Sequence, residues 1–117
     1  METEAALSAF AALSQGTRLD VFRLLIRHEP HGLAAGELAR LLSVAPNNLS
    51  AHLNVLTHAS LVTSQRRSRS IIYRAQLDKL EMLSLLLLQD CCSGRPDIRA
   101  DVMESVTRRL SARTKGH

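Results

Sequence analysis

Two sulfurs stand side by side in this chain of 117 residues: Cys91 and Cys92, its only cysteines, in the run Gln89-Asp90-Cys91-Cys92-Ser93-Gly94. Adjacent thiolates can both bind one soft metal or metalloid, whereas a lone buried cysteine usually fills space. The competing reading is a pair of inert core thiols at a helix end. A second set of residues has the chemistry of nucleic-acid contact. Asn47, Asn48, Ser50 and His52 lie on the polar side of one helical stretch. Asn can bond adenine N6 and N7 together, while Ser and His donate to base edges or phosphates. Arg66, Arg67 and Arg69 crowd one turn, which repels itself unless an anion lies nearby. Each has a plainer role as well. Asn favours helix starts, His52 could be a partly buried packing residue, and charged turns are ordinarily solvated.

The elements that must position these groups follow from apolar periodicity. Leu7, Phe10, Ala11 and Leu13 give a short first helix with one apolar side, and Ser14 or Thr17 can cap the next. Arg18 to His28 carries Leu19, Val21, Phe22, Leu24, Leu25 and Ile26, a mostly buried helix closed by Glu29-Pro30-His31-Gly32. Leu33-Ala34 suits a short extended bridge. Ala35 to Leu42 is a short helix with Leu38, Leu41 and Leu42 inward. The turn Ser43-Val44-Ala45-Pro46 leads into a helix over Pro46–Ala59, with Pro46 in its first turn. Its apolar face is Leu49, Leu53, Val55 and Leu56, and its outer face is Asn47, Asn48, Ser50, His52 and Asn54. Two helices joined so tightly predict a helix-turn-helix.

Leu61–Arg67 and Ser70–Arg74 are rich in β-branched residues and predict a β-hairpin bent at Ser68-Arg69. From Leu77 to Asp90 the pattern returns to helix. Its leucines and Met82 cover too much circumference for one buried face, so a second chain is expected to cover the rest. Asp97 to Leu110 has Ile98, Val102, Val106 and Leu110 at four-residue spacing, a weakly amphipathic last helix, with Arg113–His117 expected to fray. The expected organisation is a DNA-binding and dimerisation domain over residues 1–95 and a C-terminal helix or tail over 96–117. The fold class is mainly α with a β-hairpin wing: a winged helix-turn-helix of order α-α-α-α-β-β-α, acting as a homodimer.

Composition agrees. Apolar residues reach 45% with only 3% aromatic, so the core must be packed from Leu, Ala, Val and Ile. A net charge of +4 and a pI near 9.8 favour an anionic partner without choosing between nucleic acid and a membrane surface. Met1-Glu2-Thr3-Glu4 lacks the positive flank of a signal peptide. The apolar run Leu85–Leu88 is far short of the roughly 20 residues that span a bilayer. A cytoplasmic protein with reduced thiols and no membrane partner is the simplest expectation.

The run Leu49-Ser50-Ala51-His52-Leu53-Asn54-Val55-Leu56, then Ala59-Ser60-Leu61-Val62 and Arg69-Ser70-Ile71-Ile72-Tyr73, resembles the ArsR/SmtB family of winged-helix repressors. The opening Arg18-Leu19-Asp20-Val21-Phe22 after Thr17 matches too, so the likeness runs from about residue 5 to 95. It implies a homodimer whose recognition helices read a palindromic operator. Asn47, Asn48, Ser50 and His52 then fall on the recognition helix, and Arg66, Arg67 and Arg69 on the wing. The chain departs from the family at Ser68, where members often carry Gly in the wing turn, and at Ala51, where they often carry His or Phe.

Family metal sites narrow the sensor. Thiols near Ala34 and Gly36 are absent, and after His58 the only histidine is His117, which disfavours zinc or a hard ion. The segment around Cys91-Cys92 resembles the arsenic-responsive branch with a paired cysteine. That resemblance implies trivalent arsenic, inorganic or methylated, or antimony as inducer. Some members add a third cysteine downstream; this chain has none. Inorganic arsenite would then keep an exogenous third ligand, whereas a monomethylated trivalent arsenic would be satisfied by two sulfurs. A redox- or persulfide-sensing repressor is the alternative, disfavoured because adjacent cysteines close only a strained ring. An enzyme is not expected, since neither a Cys-x-x-Cys turn nor a Gly-rich anion loop is present. A dimerisation module with inert thiols is the third reading.

Overall fold

A computed structural model describes residues 2–91 and 95–115; the side chains of residues 89–91, 96, 99 and 113–115 lie outside that description as well. The element order is α1 (Thr3–Leu13), α2 (Gly16–Arg27), β1 (Leu33–Ala34), α3 (Ala35–Leu42), α4 (Pro46–His58), β2 (Val62–Arg67), β3 (Ser70–Ala75), α5 (Leu77–Cys91) and α6 (Pro96–Lys115). The chain forms two compact units, Met1–Glu81 and Met82–His117, and α5 runs across the division. This is the expected winged helix-turn-helix, mainly helical with a small antiparallel sheet.

In the first unit α1 buries Ala6, Ala9 and Ala12, while Leu7 is 61% exposed. The expected inward side was the neighbouring one. A stripe of alanines at three-residue spacing lets another backbone approach closely, and that close approach outweighs the larger side chains beside it. The start of α2 also differs from expectation. Neither Ser14 nor Thr17 caps it; the Gln15 side chain accepts the Arg18 N–H at 2.8 Å. Arg18 then turns back, its Nε donating to the Ala12 carbonyl at 2.7 Å, and so fastens α2 to the end of α1.

The core of this unit is aliphatic, with Val21, Phe22 and Leu25 of α2 buried alongside Leu38 of α3 and Leu49, Leu53 and Leu56 of α4. Leu19, Leu41 and Val55, expected inward, are about 40% exposed because each sits at the margin of its helix's apolar arc. After α2 the chain turns at Gly32, whose φ of 75° is the left-handed region open to glycine. A Cβ there would collide with the Tyr73 carbonyl and the Arg74 side chain. This permits Leu33-Ala34 to pair with β3, at Leu33↔Tyr73 and Ala34↔Ile72. The sheet order is β1-β3-β2, antiparallel throughout.

Ser43 ends α3 in the left-handed region at φ 54°, and the Val44 N–H reaches back to the Ala39 carbonyl at 3.0 Å. With the Ser43 N–H on the Arg40 carbonyl as well, this reversal is a Schellman motif, made with serine in place of the usual glycine. Pro46 opens α4 without losing a needed hydrogen bond. Leu61 and Val62 are buried, and the Leu61 N–H donates to the Leu56 carbonyl, so α4 feeds directly into the sheet.

α5 keeps Leu77, Met82, Leu85 and Leu87 at 44–48% exposure, whereas Leu83 is buried. α6 is longer than the expected Asp97–Leu110. Pro96 suits a first helical position, and good helix formers continue to Lys115, so Arg113–Lys115 are helical where fraying was expected. No helix among the described residues is long and apolar enough to cross a membrane.

Candidate nucleic-acid interface

α3, its tight turn and α4 set the recognition surface. Burial of Leu49, Leu53 and Leu56 fixes the rotation of α4, and 3.6-residue periodicity then forces Asn47, Asn48, Ser50 and Asn54 outward. No side chain caps the N-terminus of α4. Its first N–H groups therefore face outward with the positive end of the helix dipole, a setting that favours a phosphate. Asn47 and Asn48 stand at that end, both exposed. Ser50 lies on the same helix; its hydroxyl donates to the Pro46 carbonyl at 3.0 Å, so it must release that bond to donate to a base, while its oxygen stays able to accept.

His52 is half-buried, and its Nδ1 is enclosed with no hydrogen-bond partner among the described residues. A buried polar atom left unpaired costs about 1–3 kcal/mol. The imidazole borders a cleft of about 490 Å³ lined by Thr17, Ser43, Val44, Ala45, Asn48, Ala51 and His52. Thr17 and Ser43 are not legible as site residues, because nothing in the local sequence shows that the start of α2 and the turn converge on the same face of α4. Ala51 lines that cleft too; a larger side chain there would narrow it. On α3, Glu37 pairs with Arg40, and that guanidinium holds the Glu37 carboxyl below its ordinary value. The carboxylate therefore stays ionised and carries its own cation beside it.

Arg66, Arg67 and Arg69 are all exposed on the wing, and none makes an ion pair among the described residues. Strand alternation sends Arg66 and Arg67 to opposite faces, while Arg69 sits in the turn. The hairpin closes at Arg67↔Ser70, with Ser68 at φ 55°. The turn thus has the positive φ that glycine takes easily, and serine bears it at a cost of roughly 1 kcal/mol. Three guanidinium groups at a two-residue loop form a cationic tip.

Cys91 is the last residue of α5; its side chain and all of Cys92 lie outside the described residues. Among the described residues no three His, Cys, Asp or Glu side chains converge on a possible metal position.

A short-turn helix pair and a basic hairpin on one folded unit define a winged helix-turn-helix DNA-binding module. Residues 13–65 match the family described as helix-turn-helix domain. Comparison with curated proteins finds no match. Among solved structures, the chain is similar to an ArsR-like transcriptional regulator from Rhodococcus sp. RHA1 at 28% identity, covering 96% of this chain and 92% of that one, with a TM-score of 0.65. A possible transcriptional regulator for arsenical resistance is 30% identical over 66% of this chain and 77% of that one, TM-score 0.58. The homodimeric winged helix-turn-helix domain of a possible ArsR-family regulator from Mycobacterium bovis shares the fold at 22% identity, covering 77% and 82% of the two chains, TM-score 0.62. The chain belongs to the ArsR family of helix-turn-helix transcriptional regulators. Family membership gives no indication of an enzyme.

Proposed function

We propose that the chain is a metalloid-responsive transcriptional repressor. As a homodimer it holds a palindromic operator through Asn47, Asn48, Ser50 and His52 of α4 and Arg66, Arg67 and Arg69 of the wing. Trivalent arsenic, inorganic or methylated, or antimony bound by Cys91 and Cys92 releases it. The observation that carries the reading is the adjacency of the chain's only two thiols, beginning at the last residue of α5. It is supported by 30% identity to a possible transcriptional regulator for arsenical resistance.

The dimer is supported by the half-exposed Leu77, Met82, Leu85 and Leu87, which leave α5 apolar on more than one side. Release requires that the metalloid bind the DNA-free shape more tightly than the DNA-bound one; equal affinity would shift nothing. A coupling of roughly 1–3 kcal/mol, about 5- to 150-fold in DNA affinity, is the usual range. Thiolate is the binding form. By charge alone, Arg95 shortly after the pair would favour it and Asp90 directly before the pair would oppose it; the Arg95 guanidinium pairs with Asp97 at 2.8 Å.

Replacing Cys91 and Cys92 together by Ser should leave DNA affinity within about twofold of the parent and abolish arsenical-induced release, since a hydroxyl does not replace a thiolate for a soft ion. A double variant that still lets go of DNA on arsenite addition would place the sensor elsewhere. Release by peroxide or polysulfide, with arsenicals inert, would assign the same thiols to redox or persulfide sensing. On the DNA side, Asn47→Ala should cost about 1–3 kcal/mol of discrimination between operator and scrambled sequence. The salt dependence should stay as it was. An unchanged discrimination ratio would remove Asn47 from base contact.

A further inference from the structure

The root of the wing is tied to the loop after α2 by a forked ion pair. Arg74 on β3 donates from Nε to Glu29 Oε1 at 3.2 Å and from Nη2 to Glu29 Oε2 at 2.7 Å. Such bidentate pairs fix geometry as well as charge. The Glu29 side chain is only 14% exposed and Arg74 40%, against 43–66% for both members of the Glu37–Arg40 and Arg95–Asp97 pairs. This pair is therefore the sheltered one, and screening weakens it least.

Gly32 and β1 brace the same place. Gly32 lies hard against the Tyr73 carbonyl, and the two-residue β1 pairs with Tyr73 and Ile72. All three ties end on Ile72–Arg74. Beyond them the hairpin has its own ladder of Gln65↔Ile72, Arg66↔Ile71 and Arg67↔Ser70, and β2 is exposed from Thr63 onward. Five residues at roughly 3.3 Å each put the tip about 17 Å from Arg74. A tilt of about 10° at the root then moves the tip by about 3 Å, the length of a hydrogen bond.

We propose that Glu29 is a positioning residue for DNA binding: through its fork with Arg74 it sets the angle of the wing, so that the wing arginines and α4 meet the duplex together. This rests on the DNA-binding reading of α4 and the wing. The charge argument makes the idea testable by sign. Glu29→Gln removes an anion from a basic protein, and charge alone would tighten binding to DNA. A wing set at the wrong angle weakens it.

The experiment measures affinity for mixed-sequence duplex DNA over a range of salt, together with amide hydrogen exchange of the free protein. Glu29→Gln should bind on the order of fivefold more weakly, and cause no further weakening in a chain that already lacks Arg66, Arg67 and Arg69. Its wing amides, residues 63–67 and 70–74, should exchange faster than the parent's. Exchanging the partners, Glu29→Arg with Arg74→Glu, restores the fork at unchanged net charge and should recover parental binding, which guards against a merely misfolded single variant. Binding as tight as the parent's or tighter, or an equal weakening with and without the wing arginines, would overturn the proposal. If the parent itself ignores DNA, the DNA-binding reading fails instead. The exchange measurement still decides whether Glu29 holds the wing, and unchanged exchange says it does not.

Discussion

Replacing Arg66, Arg67 and Arg69 together by Ala is expected to weaken binding to any duplex on the order of tenfold or more and to flatten its salt dependence. Each guanidinium–phosphate pairing that disappears lowers the slope of log affinity against log salt by about 0.9, so up to about 2.7 per protomer. The cause is the release of counterions that the guanidinium groups displace. Nothing in the fold depends on these side chains: they are exposed and without ion pairs among the described residues, so the unfolding midpoint should hold or rise slightly as their mutual repulsion disappears. Titration of labelled duplex at several salt concentrations reads both the affinity and the slope. An unchanged slope would take the wing out of the interface.

The second large effect is on stability. Leu53 is 1% exposed on the inner face of α4, one turn from Leu49 and close to Leu56. Leu53→Ala removes its transfer free energy and leaves a cavity, at a cost of about 2–5 kcal/mol. A small domain has about 5–15 kcal/mol in all. Denaturant unfolding should therefore show a large fall in midpoint. Because α4 carries the core residues on one side and the proposed DNA contacts on the other, DNA binding at physiological temperature should decline with the folded fraction. A destabilisation under about 1 kcal/mol would mean that Leu53 does not sit in a close-packed core.

The recognition half was legible because its signals are local. Ala35–Leu42 lies where periodicity put it, and Pro46 marks the start of α4 by its missing N–H. The outward placement of Asn47, Asn48, Ser50 and Asn54 follows from the inner positions by helical geometry, while His52 and Val55, at the margins of the two faces, do not keep to the expected sides. The hairpin ends within a residue of expectation, since β-branched runs around a two-residue bend leave little choice of register. What escaped depends on distant parts of the chain. The alanine face of α1 is chosen by what packs on it, and the larger Leu7 and Phe10 beside it misdirect a reading by apolar size. Gln15 is a poor cap by type, and its role appears only once Arg18 is drawn to the Ala12 carbonyl. The Glu29–Arg74 fork joins residues 45 positions apart, with no periodicity to announce it. Thr17 and Ser43 meet beside His52 for the same reason.

The excess apolar circumference of α5 was readable in the sequence, and the exposure of Leu77, Met82, Leu85 and Leu87 agrees with it. The sulfur pair Cys91-Cys92 owes its proposed meaning to ligand chemistry. With two thiolates per chain, inorganic arsenite would take an exogenous third ligand and a monomethylated arsenic would not need one, so a titration with both species distinguishes the proposed inducers.

The most direct test is the equilibrium affinity of the reduced protein for its operator, measured by fluorescence anisotropy with and without one equivalent of a trivalent arsenical per chain. A fall in affinity by about 5- to 150-fold on arsenical binding is the expected result. Protein that demonstrably carries the metalloid yet grips the operator as tightly as before would contradict the mechanism.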